Sequence, residues 1–216
     1  MVHISFKSSE KVFARIGNIL YFCIMKHELV DIHTHRPTEA ITIRAVGLHP
    51  WHADRERPSE EAFSTAEAVG EIGLDKACEV DFEAQKTVFE AQLDIAEKFC
   101  KPVVIHCVRA FNEVMQLLRK WKLSAVIFHG FIGSKEQAEE AIRCGFYLSF
   151  GARTARSPKT IEALRATPLD RLFVETDDDP TPLEEIYAMI ASLRGITIEE
   201  LQRATHENYI RLFQKQ

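Results

Sequence analysis

The run Asp31-Ile32-His33-Thr34-His35 places two imidazoles two residues apart. In an extended chain such residues share a face, so His33 and His35 could serve one cation. A lone pair of this kind equally suits two polar residues at an exposed strand end. Two further runs, Lys101–His106 and Ser124–His129, are apolar stretches that end in a histidine, and Arg171–Asp177 ends in a carboxylate. In Val69-Gly70-Glu71-Ile72-Gly73-Leu74-Asp75 a glutamate interrupts an otherwise apolar segment. Burying it without a partner is costly, and a cation would supply one; the alternative is a glycine-rich surface turn. Imidazole and carboxylate donors suit Zn²⁺, Mn²⁺, Fe²⁺ or Co²⁺, and carboxylates also tolerate Mg²⁺. Without cysteine among these donors a closed structural zinc site is disfavoured, leaving a catalytic metal site as the leading reading.

Such residues act together only if the chain gathers them. Apolar runs at Leu29–Ile32, Thr42–Leu48, Ala68–Ile72, Val103–Ile105, Ala125–Phe128, Phe146–Phe150 and Leu172–Glu175 alternate with helical patterns. Phe82, Val88, Phe89, Leu93, Ala96 and Phe99 recur at helical spacing, as do Val114, Leu117, Leu118 and Trp121. Ser134 with Gln137, and Thr197 with Glu200, read as capping boxes; Gly145 and Gly195 read as helix stops. This alternation predicts an α/β fold with a parallel sheet, a TIM-type (β/α) barrel. In such a barrel the C-terminal strand ends surround one mouth, where the active site lies.

The chain has 216 residues, suiting one domain at 25–216 preceded by an extension. In residues 1–24, Lys7, Lys11 and Arg15 precede an apolar run, Ile16–Met25. That run is too short to span a membrane and lacks a small-residue cleavage site. Residues 1–24 are therefore expected to be an upstream extension of the gene model, poorly ordered or not native. The five cysteines show no C-x-x-C spacing, as expected of reduced thiols in a cytoplasmic protein. A net charge of −5 argues against a broad polybasic nucleic-acid surface, but not against a pocket that grips a few phosphates. No membrane partner is expected, and the oligomeric state stays open, a monomer included.

The ordered motifs H-x-H (His33/His35), G-x-H-P (Gly47–Pro50), G-E-x-G-L-D (Gly70–Asp75), P-x-x-I-H (Pro102–His106), F-H-x-F-x-G-S (Phe128–Ser134), G-F-Y-x-S-F-G (Gly145–Gly151) and E-T-D (Glu175–Asp177) resemble those of the TatD-related deoxyribonucleases of the amidohydrolase superfamily. The resemblance runs from about Leu29 to Phe213. It implies two divalent metal ions, Mg, Mn or Zn. His33, His35 and Asp177 would hold one, His106 and His129 the second, and Glu71 would bridge them. It also implies phosphodiester hydrolysis, with DNA ends or a small phosphodiester as substrate and Asp177 as proton acceptor.

Four departures from the family pattern are visible. The span from His35 to Gly47 is short, so a helix and a strand are missing and an incomplete or distorted barrel of seven strands is expected. The arginine after the third histidine motif stands one place late, as Arg109; Gly130 and Ile132 replace the cysteine and serine flanking the fourth. Asp178-Asp179-Pro180 follows Asp177 where the family has Ala-Pro. His49 is expected to line the site, with Arg153 and Arg156 available to meet phosphate. Asp75 and Glu175 are candidates to orient ligand imidazoles. Two other readings stay open: hydrolysis of a carboxylic ester, amide or lactone, and a metal-binding scaffold without activity.

Overall fold

The computed structural model describes residues 28–55 and 59–214 in full, and the backbone of 3–6, 11–16 and 19–24. Strands β1 (His3–Phe6), β2 (Lys11–Ile16) and β3 (Ile19–Ile24) form an antiparallel sheet of their own, in the order β1-β2-β3. Among the described residues no ladder joins it to the second sheet.

The second sheet holds β4 (Ala45–Val46), β5 (Ala68–Asp75), β6 (Val103–Val108), β7 (Val126–Phe128), β8 (Tyr147–Phe150) and β9 (Leu172–Val174) in sequence order, all parallel. The central strands are buried on both faces, which is why they read as apolar runs rather than alternations. Helices α1 (Glu60–Thr65), α2 (Phe82–Lys98), α3 (Phe111–Leu118), α4 (Lys135–Arg143), α5 (Pro158–Ala166), α6 (Leu183–Arg194) and α7 (Ile198–Phe213) connect and follow them. Phe89, Leu93 and Ala96 of α2 are buried, as their spacing predicts. Both expected capping boxes form, at Ser134/Gln137 and Thr197/Glu200, and Gly195 ends α6 in the left-handed region at φ 70°. Two further helices, α1 and α5, are capped by Ser59 and Ser157. Among the described residues no helix is long and apolar enough to cross a membrane.

The first expected strand is the part that differs. Leu29–Ile32 forms no continuous strand; isolated parallel bridges join Val30 to Ile41 and, just beyond it, Thr34 to Asp177. Asp31 N–H donates to Ile41 O at 2.8 Å on one side, and Ile32 N–H donates to Val174 O at 3.1 Å on the other. Asp177 N–H to His33 O (3.0 Å) and His35 N–H to Asp177 O (3.1 Å) continue that seam. The segment therefore lies between β9 and Ile41, and Ile41 leads directly into β4. The ring closes with a single irregular seam and, among the described residues, no eighth strand. The expected strand Thr42–Leu48 shortens to Ala45–Val46 for the same reason: so few residues separate His35 from β4 that Ile41–Val46 pairs with both neighbours at different heights. Val30 and Ile32 pack with Ile127, Tyr147, Phe173 and Tyr209 in a small apolar cluster beside the main core.

Candidate metal centre

The strand ends deliver their polar residues to one place. His106 lies within β6, His129 directly follows β7, and Glu175 and Asp177 follow β9. His33 and His35 come from the closing seam, and His49 from the turn after β4. Glu71 lies in the middle of β5, where the register against β6 shifts between Val69 and Ile72. Such an irregularity re-aims a side chain. The flanking glycines make it possible: a Cβ on Gly70 would meet Val104 Cβ at 2.6 Å, and one on Gly73 would meet His106 O at 1.9 Å. The G-E-x-G spacing thus reflects close contact of two strands around an inward carboxylate.

Five imidazoles surround that carboxylate. Glu71 Oε1 is 2.6 Å from His106 Nδ1, 2.6 Å from His129 Nε2 and 3.2 Å from His49 Nε2. Glu71 Oε2 is 3.3 Å from His33 Nε2 and 3.6 Å from His35 Nε2. Asp177 Oδ1 closes the group, 3.5 Å from His35 Nε2 and 3.9 Å from His33 Nε2. The far nitrogen of each inner imidazole faces a second carboxylate: His106 Nε2 is 3.1 Å from Asp75 Oδ2, and His129 Nδ1 is 3.4 Å from Glu175 Oε1. Carboxylates so placed fix ring orientation and raise the basicity of the nitrogen turned toward the centre.

Burial alone would raise the Glu71 carboxyl, but His106, His129, His33 and His49 hold it well below the usual carboxylate range. Burial would lower His129, yet Glu175 and Glu71 push it up to about 10. Glu175 is held down against its own burial chiefly by His129. Asp177 is raised, chiefly by burial and further by Glu175, against the opposing charge of His129. Its backbone occupies the left-handed region at φ 55°, uncommon for a residue other than glycine and concentrated at functional sites.

The donor set fits a divalent cation. Four buried or half-buried carboxylates, Glu71, Asp75, Glu175 and Asp177, cluster here around five imidazoles, a donor set rich in negative charge that a cation would offset. His33 Nε2 is buried yet makes no well-directed hydrogen bond, an orphaned donor atom of the kind a metal satisfies. Three sets of donor atoms lie within 4.8 Å of one another: His33/His129/Asp177, His33/His35/Glu71 and His49/Glu71/His106. All six candidate ligands converge. His49 joins them more closely than its expected place in the lining, and His33 stands near His129 as well as His35.

The three candidate arginines are arranged differently. Arg109 and Arg153 line a cavity of about 370 Å³ that opens beside His106, His129 and Asp177. Arg153 Nη2, however, donates to Asp178 Oδ1 at 3.2 Å, and Arg156 lies 3.7 Å from Asp179 Oδ2. The two aspartates that follow Asp177 thus face the arginines proposed to meet phosphate. Two participants carried little signal in the sequence. Asp31 is fully buried and accepts from Thr176 N–H (2.9 Å) and Thr176 Oγ1 (2.7 Å), tying the seam beside Asp177; burial raises it to about 6 against those bonds. A charged residue between Val30 and Ile32 is the clue to it. Trp51 donates from Nε1 to Asp75 Oδ2 at 2.7 Å.

Comparison with known proteins agrees with this geometry. The family model for TatD related DNase matches residues 3–214. The chain is 33% identical over 198 residues to the uncharacterized metal-dependent hydrolase YabD of Bacillus subtilis, covering 78% of this chain and 76% of that protein. It is 29% identical to the 3'-5' ssDNA/RNA exonuclease TatD of Citrobacter rodentium, covering 77% and 75%. The crystal structure of the Escherichia coli TatD homologue YjjV superposes with a TM-score of 0.71 at 27% identity, covering 81% of this chain and 78% of that one. Strand-end donors, a parallel sheet closed through the H-x-H segment and a match along nearly its whole length make this chain a member of the TatD-related DNase family, a metal-dependent hydrolase on a TIM-barrel fold.

Proposed function

We propose that the protein hydrolyses phosphodiesters at DNA ends, using two divalent cations held by His33, His35, Glu71, His106, His129 and Asp177. The observation that carries this reading is the convergence on Glu71, whose two oxygens face different imidazoles and suit a bridging role. Cations there would polarise a phosphoryl oxygen and make water nucleophilic near neutral pH. The chain's own residues supply the rest. Asp177, at the edge of the donor cluster beside His33 and His35, would take the proton of the attacking water on its carboxylate. Asp75 and Glu175 hold the His106 and His129 rings in place. Arg109 and Arg153 offer guanidinium groups at the mouth for the remaining phosphate charge. The Citrobacter relative is named as an exonuclease, which supports nucleic-acid ends as the substrate.

A second reading has its own support. The pairing of Arg153 with Asp178, and of Arg156 with Asp179, neutralises guanidinium charge where a polyanion would approach, which favours a less charged ester, amide or lactone. The test is a purified protein stripped of metal, reloaded separately with Mg²⁺, Mn²⁺ and Zn²⁺, and assayed on single-stranded oligonucleotides, bis-p-nitrophenyl phosphate and simple carboxylic esters. Metal-dependent loss of terminal nucleotides, abolished in Asp177→Asn, is the expected outcome. Esterase activity alone would overturn the phosphodiester reading.

A further inference from the structure

Trp51 is the one aromatic among the large apolar side chains left exposed in the described residues, with 53% of its surface in solvent. It lines a cavity of about 840 Å³ together with His35, His49, Glu71, Asp177 and Arg153. An exposed indole would ordinarily be free to reorient, but this one is fixed from three sides. Its Nε1 donates to Asp75 Oδ2 at 2.7 Å. Its ring meets the His49 imidazole edge-on, at 4.7 Å and 80°. Its backbone N–H donates to His49 Nδ1 at 3.2 Å, in the short helical turn Pro50–His52 whose Pro50 is buried. A rigid aromatic face presented to solvent costs little ordering when a ligand lands on it.

We infer that Trp51 is the stacking platform for the nucleobase adjoining the scissile phosphate, an inference that rests on the phosphodiester reading above. Three observations select a base as the occupant. The platform is a π-face and not an aliphatic patch. Arg153 lines the same cavity, and its guanidinium suits the phosphate of the same nucleotide. Stacking of this kind accepts any base, which fits a cavity whose lining imidazoles His35, His49 and His106 already face the Glu71 carboxylate. The hydrogen bond to Asp75, which also faces His106, sets the platform at a fixed position relative to the metal centre.

The experiment has a binding arm and a kinetic arm on the full chain. Thymidine 5′-monophosphate should quench part of the tryptophan emission saturably, whereas 2-deoxyribose 5-phosphate, which has no base, should leave it unchanged. Of the chain's two tryptophans, Trp121 remains in Trp51→Phe, and the quench should vanish in that variant. Trp51→Ala should raise KM about tenfold for an oligothymidylate with intact ends and leave KM unchanged for one with abasic ends. Trp51→Phe, which keeps an aromatic face, should restore most of the affinity. Equal KM changes for both oligonucleotides, or no quench at saturating nucleotide, would overturn the platform. Quenching without any phosphodiester cleavage would sustain it while sinking the phosphodiester reading; cleavage unaffected by Trp51→Ala would do the reverse.

Discussion

The Tyr187 hydroxyl donates to the Val30 carbonyl at 2.8 Å and lies 3.2 Å from the Val30 N–H, which donates to it. One phenol thus satisfies both backbone groups of a residue that has no regular ladder, and Thr205 Oγ1 joins it at 2.9 Å. Burial pushes the phenol upward, so it stays protonated. Tyr187→Phe would leave Val30 unsatisfied in the interior, at a cost of about 1–3 kcal/mol. Thermal denaturation should show the melting temperature falling by roughly 2–4 °C for each kcal/mol lost. An unchanged midpoint would mean that this contact does not hold the seam carrying His33 and His35.

Glu71 faces five imidazoles from two oxygens, and its amide analogue could not offer both as anionic donors. Glu71→Gln should lower the metal content per chain measured by elemental analysis after dialysis. Asp75→Asn, which only alters the support behind His106, should weaken metal affinity by about 10–100-fold. Full occupancy in both variants would place the metal elsewhere.

Asp177→Asn removes an anionic donor and the proposed proton acceptor while keeping shape. The turnover number should fall by about 10²–10⁴-fold, measured at saturating metal and substrate. Full activity in this variant would assign proton removal to another group.

Arg153 and Asp178 test the mouth's electrostatics. Arg153→Ala should raise KM for a phosphodiester with little change in turnover, the signature of lost uniform binding. Asp178→Asn releases Arg153 and should lower KM, most clearly at low ionic strength because the pair is exposed. Opposite signs for the two variants are expected; the same sign would show that the pair acts on loop shape and not on charge.

Stability should follow the metal. A cation that binds only the folded chain stabilises it by about 2.7 kcal/mol when present at one hundred times its dissociation constant. The melting temperature should therefore rise on titrating Mn²⁺ or Zn²⁺ into stripped protein and return with a chelator. No shift in wild type would argue that the cluster balances its charge with protons alone.

The ordered motifs and the apolar runs before them determined the parallel sheet and which six side chains gather at its mouth. Local rules explain much of this: a doubly buried strand must be apolar along its length, so His106, His129 and Asp177 stand out near strand ends, and Glu71 stands out as a carboxylate inside such a run. The capping boxes at Ser134 and Thr197 were legible for the same reason, since their partners lie three residues away. Only the tertiary structure decided how the ring closes where the span after His35 is short. There Ile41, Asp177 and the Tyr187 hydroxyl supply hydrogen bonds that a neighbouring strand would otherwise give, and those partners lie up to 157 positions apart. It also decided that Arg153 and Arg156 face Asp178 and Asp179, and that Trp51 shares Asp75 with His106. Those relationships depend on loops from different strand ends meeting in space, and no periodicity in the chain encodes the distance between them.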